Sequence, residues 1–288
     1  MAPDGVAAHF YPGPVPSSPP SRRLGRRALL GLGAGLAVTS VTGCTVGGGS
    51  GTDPGSDPPF GRERAACVPR SSLEAHTTLA GAPLVYEPTD RATRFWFDPG
   101  FYTALDAWAA SLAGDSRVQR WSTYGSWTDG GSQCDSWHNS GRGFDLARVR
   151  LADGTAVSCR YDQWGSARAA ELTRSRRAYW SLAAGLHQRF AYVLTYLYDA
   201  AHANHIHVDN GRSGADVSEL STRSRVQVQA VQAICTYLWD EPVELTGRWD
   251  AATRRASQRV LETVGSSGSL DDGAVQWQAF LTASASAD

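Results

Sequence analysis

The alternation of hydrophobic and polar positions predicts both helices and strands in the middle of the chain. Apolar residues recur at helical spacing over residues 101–112, after an Asp-Pro-Gly breaker. Residues 118–127 combine aromatic and hydroxyl side chains, which indicates a strand. Residues 144–150 and 155–160 flank an Asp-Gly pair, and this arrangement predicts a hairpin.

The next segment continues this mixture of elements. Residues 167–190 contain few helix breakers and predict a long helix. Residues 191–198, AYVLTYLY, are rich in β-branched and aromatic side chains and predict a strand, and residues 205–208 predict the end of another. Helices mixed with a small antiparallel sheet indicate an α+β domain over residues 67–210.

A different pattern follows a polar, glycine-containing linker at 211–224. The spacing of apolar residues predicts three helices, at 226–239, 253–264 and 274–281. We therefore expect a small three-helix module over 225–288.

The N-terminal residues 1–43 have the features of an export signal. Four arginines precede an apolar run over 28–41, which is too short to span a bilayer comfortably as a permanent helix. The RRALL stretch at 26–30 resembles a twin-arginine signal, and VTGC at 41–44 resembles a lipoprotein cleavage box. This resemblance implies that Cys44 carries a lipid; export with cleavage elsewhere is the alternative.

A Gly/Ser/Pro/Asp-rich stretch fills the segment 44–66. Such a composition cannot bury apolar surface, so we expect a flexible tether. The tether would hold a monomeric folded body at the outer face of the cytoplasmic membrane, next to the cell wall. The lipid would be its only membrane contact.

Composition and charge exclude some chemistry. All 27 cationic side chains are arginine, so no lysine is present to act as base, nucleophile or Schiff-base former. Four of these arginines and one of the 28 acidic residues precede Cys44, so the remainder carries a net charge of −4. An acidic body argues against nucleic acid as a partner.

Four cysteines remain after Cys44, and an even number in an exported chain suggests two disulfides. Three pairings are possible. We favour Cys134 with Cys159, because the predicted hairpin would fold the second segment back towards the first. Cys67 would then pair with Cys235. A cysteine-ligated structural zinc is a weaker alternative, because no C-x-x-C spacing occurs.

Two short polar stretches hold the candidate chemistry. HNSGRGFD, at 138–145, separates His138 from Asp145 by a spacer with two glycines, which would let the two side chains converge. HANHIHVD, at 202–209, contains three of the seven histidines. Residues two apart in a strand share a face, so His205 and His207 can both reach one site.

These residue types match a catalytic zinc site. Such sites take three nitrogen or oxygen ligands and leave a fourth position open. His138, Asp145 and one histidine of the H-x-H pair would supply the ligands. Either motif alone arises often by chance. Asp209 is either a strand-end residue or a hydrogen-bond partner of a ligating histidine.

The combined motifs resemble the LAS-type zinc D,D-peptidases, which include D-alanyl-D-alanine carboxypeptidases and murein endopeptidases. More narrowly, HNSGRGFDLARVRLADGTAVS followed by AAHANHIHVD resembles the extensin-like C-terminal domain family. The resemblance implies Zn²⁺ held by His138, Asp145 and His207. It also implies that His205 is the base and that His202 positions substrate or stabilises charge.

The sequence departs from this pattern at one position. Relatives often carry an arginine in the strand before the histidine loop, but this strand reads STYGSW. Arg120 and Arg142 are the nearby candidates for contacting the substrate or its oxyanion, and Ser136 at the start of the motif is a third. HIHVDN also approaches the metallo-β-lactamase signature, but Asn210 stands where that signature has histidine.

The three-helix module resembles the peptidoglycan-binding domain through VQAVQAICTYL, LTGRWDAATRRASQRVL and DDGAVQWQAFL. A bundle that merely completes the fold is the alternative. The resemblances together imply an exported hydrolase of peptidoglycan stem peptides, either a D,D-carboxypeptidase or an endopeptidase. A non-catalytic wall-binding lipoprotein with a structural or degenerate metal site is the alternative function.

Overall fold

The computed structural model describes residues 65–113, 118–131, 134–211 and 217–287. The predicted export signal, Cys44 and nearly all of the predicted tether lie outside the described residues. Within these residues, no helix is both long and apolar enough to cross a membrane.

An eight-stranded mixed sheet lies at the centre of the fold. Its strands, in spatial order β2-β3-β6-β7-β10-β9 with β4 beside β3 and β8 beside β7, are joined antiparallel except for the parallel pair β3 and β6. A separate two-stranded ribbon pairs β1 with β5. The bounds are β1 Glu74–His76, β2 Thr78–Leu79, β3 Ala82–Tyr86, β4 Arg91–Ala92, β5 Phe95–Phe97, β6 Val118–Gly125, β7 Gly143–Leu151, β8 Ala156–Ser158, β9 Tyr192–Leu194 and β10 Ile206–Asp209.

In the described part of the chain, six α-helices surround or follow the sheet. They are α1 Pro99–Ala113, α2 Tyr161–Trp164, α3 Ala169–His187, α4 Arg225–Leu238, α5 Ala251–Thr263 and α6 Ala274–Ala285. The start of α1 is capped by Asp98, whose Oδ1 accepts from the Phe101 amide at 2.9 Å, so the predicted breaker is the helix start. Short 3₁₀ helices lie at Arg70–Ser72, Trp137–Ser140, Ala200–Asn204 and Leu270–Asp272.

The predicted α+β class is confirmed, with two differences in detail. The sheet is mixed and not purely antiparallel, because β3 lies parallel to β6. The predicted strand at 191–198 ends at Leu194, where a turn closed by the Tyr198 amide and the Thr195 carbonyl begins. The five strands before α1 have two to five residues each, too few to show a period in the sequence.

One hydrophobic core connects the sheet and the C-terminal helices. Helix α3 packs against strands β8 and β9 and also against α4 and α6. Polar bonds reinforce this packing: Ser181 Oγ donates to the Ala285 carbonyl at 2.7 Å, and Gln229 Nε2 donates to the Leu197 carbonyl at 3.0 Å. Buried residues from both parts, Trp180 and Trp277 among them, belong to the same cluster.

Both predicted disulfides are wrong. The structure joins Cys67 to Cys134 and leaves Cys159 and Cys235 as buried free thiols. The hairpin does form, but it brings Cys159 opposite the middle of β7, where its amide donates to the Ala147 carbonyl at 2.9 Å. Its side chain therefore faces the core and not the loop that carries Cys134.

The segment around Cys67 is fixed beside the loop that carries His138. The Val68 amide donates to the Asn139 carbonyl, and Trp127 Nε1 donates to the Val68 carbonyl. These two bonds place Cys67 within reach of Cys134 and explain the observed pairing.

Replacing both Cys67 and Cys134 with serine is expected to lower the free energy of unfolding by about 2–4 kcal/mol, because the bond restricts the unfolded chain. Urea denaturation with and without dithiothreitol measures this, and the variant should no longer respond to the reductant. Peptide mapping of the full chain without reduction is the control. A Cys134–Cys159 peptide in that map would contradict the assignment.

Candidate metal centre

Three side chains from the two histidine-containing stretches meet at one point. Asp145 Oδ1 lies 3.1 Å from His138 Nε2 and 2.9 Å from His207 Nδ1, and the two nitrogens lie 3.1 Å apart. One ligand atom from each residue lies within 4.8 Å of the other two. Two imidazole nitrogens and a carboxylate oxygen form a donor set that suits a catalytic zinc ion.

The sheet register brings two of these residues together. Strands β7 and β10 pair antiparallel, with Asp145 directly opposite His207. Side chains directly opposite each other share one face of a sheet, so the carboxylate and the imidazole meet without any loop rearrangement. His138 reaches them from the 3₁₀ helix that precedes β7.

The two glycines of the 138–145 stretch have different roles. Gly141 ends the 3₁₀ helix with φ +69°, a left-handed conformation that glycine adopts readily. Gly143 leaves room for the two imidazole rings, because a Cβ at this position would lie 3.1 Å from His207 Cε1 and 3.2 Å from His138 Cε1. The expected convergence thus needs one turn and one position without a side chain.

Each histidine of the cluster uses its second ring nitrogen to hold its orientation. His138 Nδ1 bonds to the Ser126 carbonyl, and His207 Nε2 lies 3.2 Å from Asp209 Oδ2. These contacts leave His138 Nε2 and His207 Nδ1 facing Asp145. Such outer contacts orient metal-ligating imidazoles and fix their tautomers, and Asp209 is therefore a partner of His207.

The charges of the cluster suit a cation. Burial opposes ionisation of Asp145, but His138, His205 and His207 outweigh it and hold the pKa of the carboxyl well below its usual range. Burial also disfavours the charged form of His207, yet hydrogen bonds to Asp145 and Asp209 raise its pKa to about 10. A divalent ion would take the place of the proton that this cluster otherwise holds.

His205 lies beside the cluster with one ring nitrogen turned towards it. Its Nε2 is 3.3 Å from Asp145 Oδ1 but makes no hydrogen bond among the described residues, while Nδ1 donates to Asn204 Oδ1 at 2.5 Å. Burial lowers the pKa of His205 to about 4, so the ring is neutral at neutral pH. A neutral imidazole with an unpaired nitrogen can accept a proton.

His202 is the second histidine of this group. Its ring lies 5.2 Å from the His205 ring, and its Nδ1 is 2.7 Å from Asp199 Oδ1. Burial, and then the neighbouring His207, lower the pKa of His202. Asp199 also caps the 3₁₀ helix that carries it, so the ring is fixed in place.

The three candidates for substrate or oxyanion contact have other partners. Arg120 pairs with Asp90 at 2.9 Å and precedes Gly125, the β6 partner of Asp145, by five residues, or about 17 Å along the strand. It is therefore remote from the cluster. Ser136 caps the 3₁₀ helix by accepting from the His138 amide, so it positions a ligand.

Arg142 lies close to the cluster but serves its framework. Its Nε and Nη2 donate to the side chain and the carbonyl of Asn210, both at 3.0 Å, and its guanidinium lies over the Trp137 ring. It thereby ties the histidine loop to the end of β10.

Sequence reasoning missed several residues of the site. The Ser126 carbonyl is a backbone group and leaves no signal in the side-chain pattern. Asn204 and Asp199 stand next to the recognised histidines, and their polarity was the available signal. Tyr124, whose ring centroid lies 6.0 Å from that of His205, belongs to the predicted strand but gave no sign of facing the site.

Comparison with known proteins confirms the extensin-like part of the predicted resemblance. Residues 88–219 match the family model described as extensin-like protein C-terminus. The extensin-like segment contains the three clustered residues and both adjacent histidines, and it ends before α4. No curated protein and no solved structure shows significant similarity to the chain.

Proposed function

We propose that this protein is a zinc peptidase that hydrolyses peptide bonds in bacterial peptidoglycan stem peptides. One observation carries the proposal: His138, Asp145 and His207 converge on one point, with the neutral imidazole of His205 directly beside them. Three fixed ligands next to an unprotonated base are what metal-assisted hydrolysis requires.

The residues present fit the metal. His138, Asp145 and His207 would hold a zinc ion, which would act as a Lewis acid and would lower the pKa of a bound water. His205 accepts the proton of the attacking water through Nε2 and delivers it to the nitrogen of the leaving amine. The oxygen of the water joins the carbonyl carbon with its second proton, the carbon–nitrogen bond breaks, and the products are a carboxylic acid and an amine. Asn204 holds the ring of His205 during both transfers.

The choice of substrate is supported by sequence resemblance. The histidine motifs resemble those of D,D-peptidases, and the C-terminal helices resemble a peptidoglycan-binding module. Export through the N-terminal signal and a lipid on Cys44 would bring the protein to this polymer. A second binding surface would raise its effective concentration on a substrate that does not diffuse.

Digestion of purified peptidoglycan by the full chain tests the proposal. We expect the zinc-loaded protein to release fragments, a chelator to stop the release and added zinc to restore it. Mass spectrometry of defined muropeptides then identifies the bond: loss of one terminal alanine indicates a carboxypeptidase, and conversion of cross-linked dimers to monomers indicates an endopeptidase. Stoichiometric zinc without any fragment would contradict the proposal and favour a non-catalytic wall-binding protein.

A further inference from the structure

Tyr124 occupies an irregular position in the sheet next to the metal centre. In the pairing of β6 with β7, Thr123 is opposite Leu146 and Gly125 is opposite Asp145. Two steps along β6 therefore match one step along β7, and Tyr124 is the extra residue of a β-bulge. Bulges change the direction of a side chain and occur often beside active sites.

Neighbouring residues fix this bulge. Thr123 Oγ1 donates to the Asp145 carbonyl at 2.7 Å and accepts from the Gly125 amide at 3.0 Å. Gly125 has φ +141°, a backbone conformation that side-chain-bearing residues rarely adopt. The sequence Thr-Tyr-Gly thus anchors the tyrosine to the same strand segment that carries the Asp145 ligand.

The bulged residue has its ring beside the proposed base. The two ring centroids, of Tyr124 and His205, lie 6.0 Å apart in an edge-on arrangement. The phenol is half-buried, and its hydroxyl makes no hydrogen bond with the described residues. Burial raises the pKa of Tyr124, so the hydroxyl stays protonated at neutral pH and remains a hydrogen-bond donor.

A positive charge lies over the face of the Tyr124 ring. The Arg160 guanidinium lies 5.9 Å from the Tyr124 ring centroid and is held by Asp162 at 2.7 Å and Glu87 at 3.5 Å. The arginine is thereby kept beside the ring.

Resting on the proposed function, we propose that Tyr124 donates a hydrogen bond to the scissile carbonyl oxygen as that oxygen gains negative charge. The sequence had offered Arg120 and Arg142 for this contact with the oxyanion. Arg120 pairs with Asp90 and Arg142 with Asn210, and the Tyr124 phenol would make the contact instead. A donor aimed at developing charge stabilises the transition state more than the substrate. Tyr124 would therefore act on kcat and leave KM nearly unchanged.

Tyr124→Phe removes the hydroxyl and keeps the ring. We expect kcat on a defined muropeptide to fall by about 10²-fold or more, with zinc content and KM unchanged. The readout independent of turnover is calorimetric binding of a phosphinate analogue of D-alanyl-D-alanine to the zinc-loaded full chain. Its anionic oxygen takes the position of the oxyanion, so the variant should bind it at least about tenfold more weakly.

Tyr102→Phe is the matched control, because the Tyr102 hydroxyl donates to the Thr78 carbonyl and not to the site. Equal phosphinate affinity of wild type and Tyr124→Phe would overturn the inference, as would a wild type with no affinity for the phosphinate. An inactive wild type that still binds the phosphinate through Tyr124 would instead refute only the proposed hydrolysis.

Discussion

Replacing Asp145 with alanine is expected to abolish both zinc binding and hydrolysis. The carboxylate is the anionic member of the triad, and it contacts His138, His205 and His207. Its loss removes one ligand and also the group that fixes the rings of the other two. Metal analysis after dialysis and a muropeptide assay give the two readouts, and we expect stoichiometric zinc to fall to background.

Asp153→Ala is the control for this change. Asp153 lies in the turn that follows the same strand, where it accepts from the Thr155 amide. That variant should keep zinc and activity. An Asp145→Ala protein that retains tightly bound zinc would show that the ion is held elsewhere, and the assignment of the triad would then be wrong.

Replacing His205 with alanine is expected to separate chemistry from metal binding. We expect kcat to fall by about 10²- to 10⁴-fold, since general-base catalysis contributes this much. Zinc should remain stoichiometric, because His138, Asp145 and His207 are unchanged. Steady-state kinetics and metal analysis on the same preparation test both parts.

His76→Ala is the matched control for His205, because His76 stacks on Tyr102 and pairs with Glu74 away from the metal-binding residues. It should leave kcat unchanged. Loss of zinc in His205→Ala would show that this histidine is itself a ligand. Full activity in that variant would exclude it as the base.

The convergence of His138, Asp145 and His207 could be predicted because its signals are local in the sequence. The spacing of His138 and Asp145 around two glycines indicates convergence, and the H-x-H pair indicates one face of a strand. The direct pairing of Asp145 with His207 needed the register of β7 and β10, which local patterns do not contain. Tyr124 was missed for the same reason, since a bulge exists only relative to a partner strand.

The pairing of the cysteines could not be predicted from the sequence. The hairpin around Asp153-Gly154 was predicted correctly, but the prediction ignored that Cys159, directly after β8, would face the core. The true partner of Cys134 comes from 67 residues earlier in the chain. Cys67 comes close to Cys134 because the Val68 amide donates a backbone hydrogen bond to the Asn139 carbonyl. The pattern of side chains in the sequence does not predict such a bond.

The packing of α3 against both the sheet and the C-terminal helices constrains how this architecture can be rearranged. A chimaera that grafts residues 65–224 onto a foreign binding domain would expose the face of α3 that packs against α4 and α6, and Ser181 would lose its hydrogen bond to the Ala285 carbonyl. We therefore expect that the C-terminal helices cannot be exchanged between proteins as an independent unit. Evolutionary change in the two halves is therefore coupled along this one helix.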